Sequence, residues 1–184
     1  MEISYNNFAR GGTKPKITGN CLRPVFTQLT SEAAFGPKHT ESRKQIPAAA
    51  RRVAATLAGV LALDPAPRRM RGYAHRLDDD LRSDGANISA VLSSLDARRH
   101  ARALEFVRAL PEQDIKAIDF VATPRDEVMV KLEESFGGTT SWHDASVLSD
   151  GTLRVLAIAA ALLSVREGSV VVIEEVDNGI HPPG

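Results

Sequence analysis

The spacing of apolar residues predicts where the first half of the chain is regular. Met1–Phe8 alternates in polarity like the end of a strand, and residues 9–19, rich in Gly, Lys, Pro and Thr, are expected to form a loop. Pro47 stands at a first-turn position and predicts a helix over Ala48–Leu63. The prolines after Asp64 then end that helix.

The middle of the chain changes from a helical to a strand period. Asn87 is a candidate cap for a helix that ends near Leu95, and a second helix follows over Ala97–Leu110. Ile115–Ala122 and Val128–Leu132 alternate with period two around a Pro-Arg-Asp turn, which predicts a β-hairpin.

The end of the chain has the pattern of one helix–strand unit. We expect a loop over Phe136–Ser146, a helix capped by Ser149 that runs through Ser164, and a strand over Ser169–Ile173. The strand is β-branched, as is typical of the centre of a parallel sheet. A parallel sheet needs several such strands, and only one is evident, so the pattern indicates part of a fold.

Composition narrows the class of protein. Hydrophobic residues make up 43%, which is enough for a core, and 23 basic residues balance 23 acidic ones. The neutral chain therefore gives no general argument for nucleic acid or an anionic membrane. Cys21 is the one cysteine, which excludes an internal disulfide and a four-thiolate zinc site. With neither a signal-peptide pattern nor a membrane-length apolar run, we expect a soluble, cytoplasmic protein.

The start of the last helix is the first candidate for chemistry. Ser149 can cap it, Gly151 permits close approach of another backbone, and the free first-turn amides form a site for an anion. The plainer interpretation, a capped core helix with no ligand, stays open.

Two acids close the last strand and are the second candidate. Glu174 and Glu175 point to opposite sides, so one could hold a hydrated divalent cation and the other could orient or deprotonate a water. A strand that ends in solvated acids is the alternative. The turn Asp177-Asn178-Gly179 and the His181-Pro182 exit make the arrangement more specific.

Taken together, these residues resemble the C-terminal part of an ABC-type, AAA-class ATPase head, like the soluble RecF-like or OLD-like predicted ATPases. Residues 148–154 (LSDGTLR) are similar to the signature motif, Val170–Glu175 to the Walker B strand, and residues 177–182 to the D-loop. Upstream, residues 63–71 (LDPAPRRMR) and 84–95 (DGANISAVLSSL) resemble the lid region.

The resemblance implies an α/β fold: a partial P-loop NTPase head with an α-helical lid and a β-hairpin. It implies a lid region with an N-terminal strand remnant and the hairpin over 1–136, and an ATPase core segment over 137–184. It also implies that heads pair as a dimer around ATP and Mg²⁺.

Ser149 and Gly151 would contact the γ-phosphate held by the opposite protomer. Glu174, where the family usually has Asp, would support Mg²⁺ through water, and Glu175 would be the general base. The D-loop residues at the contact between heads would be Asp177, Asn178 and His181.

One expected part is absent from the sequence. A phosphate-cradling P-loop needs Gly-x-x-x-x-Gly-Lys-Ser/Thr, and no Gly-Lys pair occurs in the 184 residues. We therefore expect a truncated or split ATPase head that is inactive alone and needs a partner head carrying Walker A.

Other functions remain as alternatives. The chain could be a non-catalytic interaction module that regulates a complete ATPase. A nuclease is a further possible partner. Nucleic acid is another, because two groups of arginines could touch DNA phosphates: Arg68, Arg69 and Arg71, and Arg98, Arg99 and Arg102. Neutral net charge favours a solvated surface for these arginines.

Overall fold

The computed structural model describes residues 1–8, 12–111 and 113–174. The chain divides into two compact units, Met1–Val60 and Leu61–Gly184, and each is described by itself. No helix in the described part of the chain has both the length and the apolarity needed to cross a bilayer.

The first unit begins with a short antiparallel pair. Strand β1 (Glu2–Ser4) pairs with β2 (Lys16–Thr18), so the loop prediction for residues 9–19 was wrong at its end. Three residues are too few for a period-two pattern to stand out. Two 3-10 turns follow, at Val25–Gln28 and Glu32–Ala34.

Helix α1 (Thr40–Ala58) completes the first unit and corrects a second prediction. Pro47 lies inside this helix and is buried, so it does not open it. Its apolar residues Val53 and Leu57 are 45% and 52% exposed. The unit packs instead around Tyr5, whose hydroxyl bonds His39 Nδ1 at 2.7 Å.

The second unit contains a parallel strand pair. β3 (Leu61–Leu63) pairs with β8 (Val171–Ile173), with Leu63 beside Ile173. The strand at 171–173 is confirmed, whereas the helix predicted through Leu63 was wrong. Leu and Ala favour helices, and the strand forms because its partner offers a hydrogen-bonding edge.

Short elements link β3 to the helical layer: α2 (Pro67–Met70), β4 (Ala74–His75), α3 (Ile88–Ser94) and α4 (Ala97–Arg108). Both predicted helices of this region are confirmed. Asn87 occupies the N-cap position of α3, but its side chain makes no capping bond there. It donates to the carbonyls of Asp78 and Asp80 instead, at 2.8 and 2.7 Å. These two aspartates lie in a loop.

The hairpin is confirmed and is larger than predicted. β5 (Asp114–Ala122) pairs antiparallel with β6 (Glu127–Phe136), whose other edge pairs with β4 and β7 (Thr139–Asp144). The loop predicted over Phe136–Ser146, with Trp142 and His143 in it, was therefore wrong. The six residues of β7 are polar or aromatic and mostly exposed, so they lack the buried alternation that identifies a strand.

The exposed face of this sheet has a local charge pair. Lys131 Nζ lies 3.0 Å from the Asp119 carboxylate and 4.6 Å from the centroid of the Trp142 ring. The hydrogen bond from Lys131 lowers the pKa of Asp119 below its usual value. Asp119 and Lys131 are directly opposed in the β5–β6 pair, so their opposite charges favour this register.

Helix α5 (Asp150–Ser164) forms the centre of the second unit and confirms the predicted helix. It is apolar on most sides, and Leu153, Leu156 and Ala157 are fully buried against α3 and α4. Because α5 is surrounded by packed elements, its first turn has a fixed position. The candidate site lies there.

Candidate functional site

Ser149 caps α5, as predicted. Its backbone is extended (φ −65°, ψ 155°), and its Oγ accepts the Thr152 N–H at 3.1 Å. Gly151 lies half-buried in the same first turn. The structure therefore brings Ser149 and Gly151 together at a helix start whose remaining first-turn amides point outwards.

A chain of hydroxyl groups runs inwards from this cap. The buried Thr152 donates through Oγ1 to Gln113 Oε1 at 2.9 Å and lies 2.7 Å from Ser149 Oγ. Since the proton of Thr152 is directed to Gln113, Ser149 donates its own proton to Thr152. Ser149 can therefore offer a proton to an outside ligand only after its hydroxyl rotates.

Thr152 and Gln113 were not predicted as site residues. Thr152 could have been noticed, because a hydroxyl residue in the first turn can share a cap. Gln113 is 39 positions from Thr152 and has no local signal in the sequence.

Arg71 contacts the same helix start and, unlike the other five arginines of the two groups, which are exposed as predicted, is only 29% exposed. Its Nη2 lies 2.6 Å from the Asp150 carboxylate, and its Nη1 donates to the Leu148 carbonyl at 2.6 Å. Its neighbour Arg69 pairs with Asp84 at 3.2 Å. The guanidinium groups of Arg71 and Arg69 are thus both paired with groups of the protein itself.

Glu174 directly follows β8. Its N–H donates to the Leu63 carbonyl at 3.0 Å, and its side chain is exposed. Asp64, which sequence reasoning missed, directly follows β3 in the parallel pair, so both acids lie at the carboxyl ends of adjacent strands. This is the edge at which open α/β sheets bind ligands.

The remaining candidates cannot be positioned. Glu175, Asp177, Asn178 and His181 lie outside the described residues. Glu174 joins neither the hydroxyl chain nor the Arg71 contacts in the part of the chain that the structure describes. Within that part, no group of three or more acidic, His or Cys side chains is arranged to hold a metal ion.

The residues present suit an anion and one water-mediated cation contact. The start of a helix of 15 residues presents free amides and the positive end of its dipole, which favour phosphate. The carboxylate of Glu174 supplies oxygen ligands, and Mg²⁺ commonly uses one or two protein carboxylates together with waters and phosphate oxygens. The helix start is therefore compatible with a phosphate, and the strand end is separately compatible with Mg²⁺ that arrives with a nucleotide.

The fold is a mixed α/β domain with several small sheets, and comparison with known families gives its class. The profile of the family described as "AAA domain, putative AbiEii toxin, Type IV TA system" matches residues 23–183. The chain belongs to this family. No curated protein and no solved structure matches it.

Family membership supports an ATPase-type, nucleotide-binding function for the chain. The match also begins within the first unit, so both compact units contribute to the family domain.

Proposed function

We propose that this chain supplies the signature helix and the Walker B strand of an ABC-type ATPase head. Its Walker B strand completes an ATP site whose Walker A loop is contributed by other polypeptide, and its signature helix faces the γ-phosphate held by the opposite protomer. The observation that carries this proposal is the start of α5, where a serine cap and an arginine-paired acid lie in a domain of the AAA family. No Gly-Lys pair occurs in the 184 residues, so the Walker A loop of the proposed site lies outside them.

Phosphoryl transfer depends on positioning and charge neutralisation more than on covalent chemistry. At the signature helix, Gly151 lets the nucleotide of the opposite protomer approach the α5 amides, and the rotated Ser149 hydroxyl donates to its γ-phosphate oxygen. This rotation breaks the Ser149–Thr152 contact of 2.7 Å, so phosphate binding has to replace that hydrogen bond. Bound Mg²⁺ would supply neutralisation of the phosphate charge.

Glu174 would orient a Mg²⁺-bound water, since it keeps the charge of the usual Asp on an arm one methylene longer. Glu175 would hold the attacking water as general base. Asp177, Asn178 and His181 would belong to the loop where two heads meet.

The test is ATP hydrolysis by this chain mixed with a co-purified polypeptide that carries a P-loop. We expect stimulated turnover, with Ser149→Arg lowering it at least about tenfold because the larger cation blocks the helix start. Glu175→Gln should lower turnover while ATP still binds. The exposed Ser141 and Glu167 provide matched controls, and Ser141→Arg and Glu167→Gln should leave the rate unchanged.

Two results would contradict the proposal. Steady hydrolysis and micromolar ATP binding by the purified chain alone would show that no second polypeptide is needed. Equal stimulation by wild type, Ser149→Arg and Glu175→Gln would instead favour a non-catalytic interaction module. The inward-directed Ser149 hydroxyl and the acid at position 150 are the observations that favour this second function.

A further inference from the structure

We propose that Arg71 is a positioning residue for the helix start of α5, and that it neutralises Asp150 so that this start can accept a phosphate. The inference rests on the proposed function and names a residue that prepares the same site. Arg71 itself does not need to touch the nucleotide.

The contacts of Arg71 lie on both sides of the cap. Nη1 donates to the carbonyls of Leu148, Ser146 and Ala145, at 2.6, 3.1 and 3.3 Å, and all three precede Ser149. Nη2 lies 2.6 Å from the Asp150 carboxylate, which follows it. One guanidinium therefore fixes the segment that enters the helix and also the first residue of the helix.

These contacts are partly shielded from water. The side chain of Arg71 is 29% exposed, and both Ala145 and Leu148 are buried. The partners lie 74 to 79 positions away in the sequence, so the contacts fix tertiary structure between the α2 region and the helix start.

Charge gives Arg71 a second role. An acid in the first turn interacts favourably with the helix dipole, but a free carboxylate there would repel an incoming phosphate at the same amides. The Arg71 guanidinium cancels the charge of Asp150, and its hydrogen-bond partners lie at positions 145–150, before Gly151. A lysine could not do both, because its single ammonium lacks the planar fork that reaches two sets of acceptors.

Arg69 provides a matched control. It belongs to α2, the short helix that immediately precedes Arg71, and it forms an ion pair with Asp84 at 3.2 Å. Its side chain is 67% exposed, and this ion pair lies outside residues 145–150. Removal of Arg69 therefore removes a neighbouring ion pair without touching the start of α5.

The experiment uses the full chain labelled for NMR and compares wild type with Arg71→Met, Arg71→Lys, Arg69→Met and the double variant Arg71→Met/Asp150→Asn. Hydrogen exchange of amides 148–153 measures how firmly Arg71 holds the start of α5. Titration with inorganic phosphate, followed at the Gly151 amide, measures whether Arg71 favours phosphate binding by neutralising Asp150. The two readouts separate the two roles, and Arg71→Lys keeps the test informative if Arg71→Met does not fold.

We expect exchange about tenfold faster in Arg71→Met and in the double variant, with Arg71→Lys intermediate and Arg69→Met unchanged. We expect the phosphate Kd to rise about tenfold in Arg71→Met and to recover in the double variant.

Unchanged exchange in Arg71→Met would overturn the positioning role. A phosphate Kd that the added Asp150→Asn fails to recover would overturn the charge role. If phosphate shifts no amide in wild type, the proposed function and the charge role both fail at this helix, while exchange still decides the positioning role.

Discussion

Individual hydroxyl and amide groups decide the chemistry available at the start of α5. The sequence predicted the Ser149 cap because a serine preceded an apolar helix, and the structure confirms it. The direction of its proton depends on Thr152 and, through it, on Gln113. That direction could not be predicted, because Gln113 comes from the segment before β5, far away in the sequence.

The first prediction at this scale concerns Thr152→Val. Valine fills the same volume but leaves Gln113 Oε1 and Ser149 Oγ without their buried partner. We expect the free energy of unfolding to fall by about 1–3 kcal/mol. Urea denaturation measures this change.

The control is the exposed Thr140 of β7, where Thr140→Val should change the unfolding free energy by less than about 0.5 kcal/mol. Equal costs at the two positions would mean that the hydroxyl chain contributes no stability.

At the scale of elements, strongly periodic segments were predictable and short or polar ones were not. α3, α4, α5 and the β5–β6 hairpin follow from their own patterns. β7 does not, because an exposed edge strand needs no apolar alternation and forms only where β6 offers backbone partners. The turn that joins them is Gly137-Gly138, with φ of 57° and 84°.

The prediction at this scale concerns that turn. Gly137→Val should lower the unfolding free energy by about 1–2 kcal/mol, because a side chain with a Cβ disfavours positive φ. A new Cβ at Gly137 has nothing within 4 Å, so the cost is conformational and not steric. Gly137→Asn should cost much less, because Asn-Gly suits two-residue hairpin turns.

Thermal unfolding distinguishes these variants. Gly72 also has open space around its Cβ position but no positive φ, so Gly72→Val provides a control for the added side chain. Were Gly137→Asn as costly as Gly137→Val, the left-handed turn would not be the cause.

At the scale of the whole molecule, the parallel pair β3–β8 places Leu61–Leu63 beside the strand that precedes Glu174. Adjacent residues of β8 face opposite sides. Val171 packs against the core cluster, whereas Val172 is 48% exposed. Parallel strands are normally covered on both faces, and this arrangement agrees with the proposal that other polypeptide completes the head.

Val171→Thr and Val172→Thr test this difference with the same chemical change. We expect the first to lower the unfolding free energy by about 1–2 kcal/mol, since it places a hydroxyl against the core. The second should stay within about 0.5 kcal/mol of wild type. Chemical denaturation of the two variants gives the comparison, and equal costs would mean that the two faces of β8 are not distinct.

The sequence by itself determined helices α3, α4 and α5, the β5–β6 hairpin, the serine cap and the strand that precedes the two acids. Each depends on neighbours within one helical turn or one strand, and such interactions leave a local pattern. Tertiary structure decided the pairing of Leu61–Leu63 with β8, the addition of β7 and the contacts of Arg71 and Gln113. Their partners are distant in sequence or on the other edge of a sheet, so their energies exist only after the chain has folded.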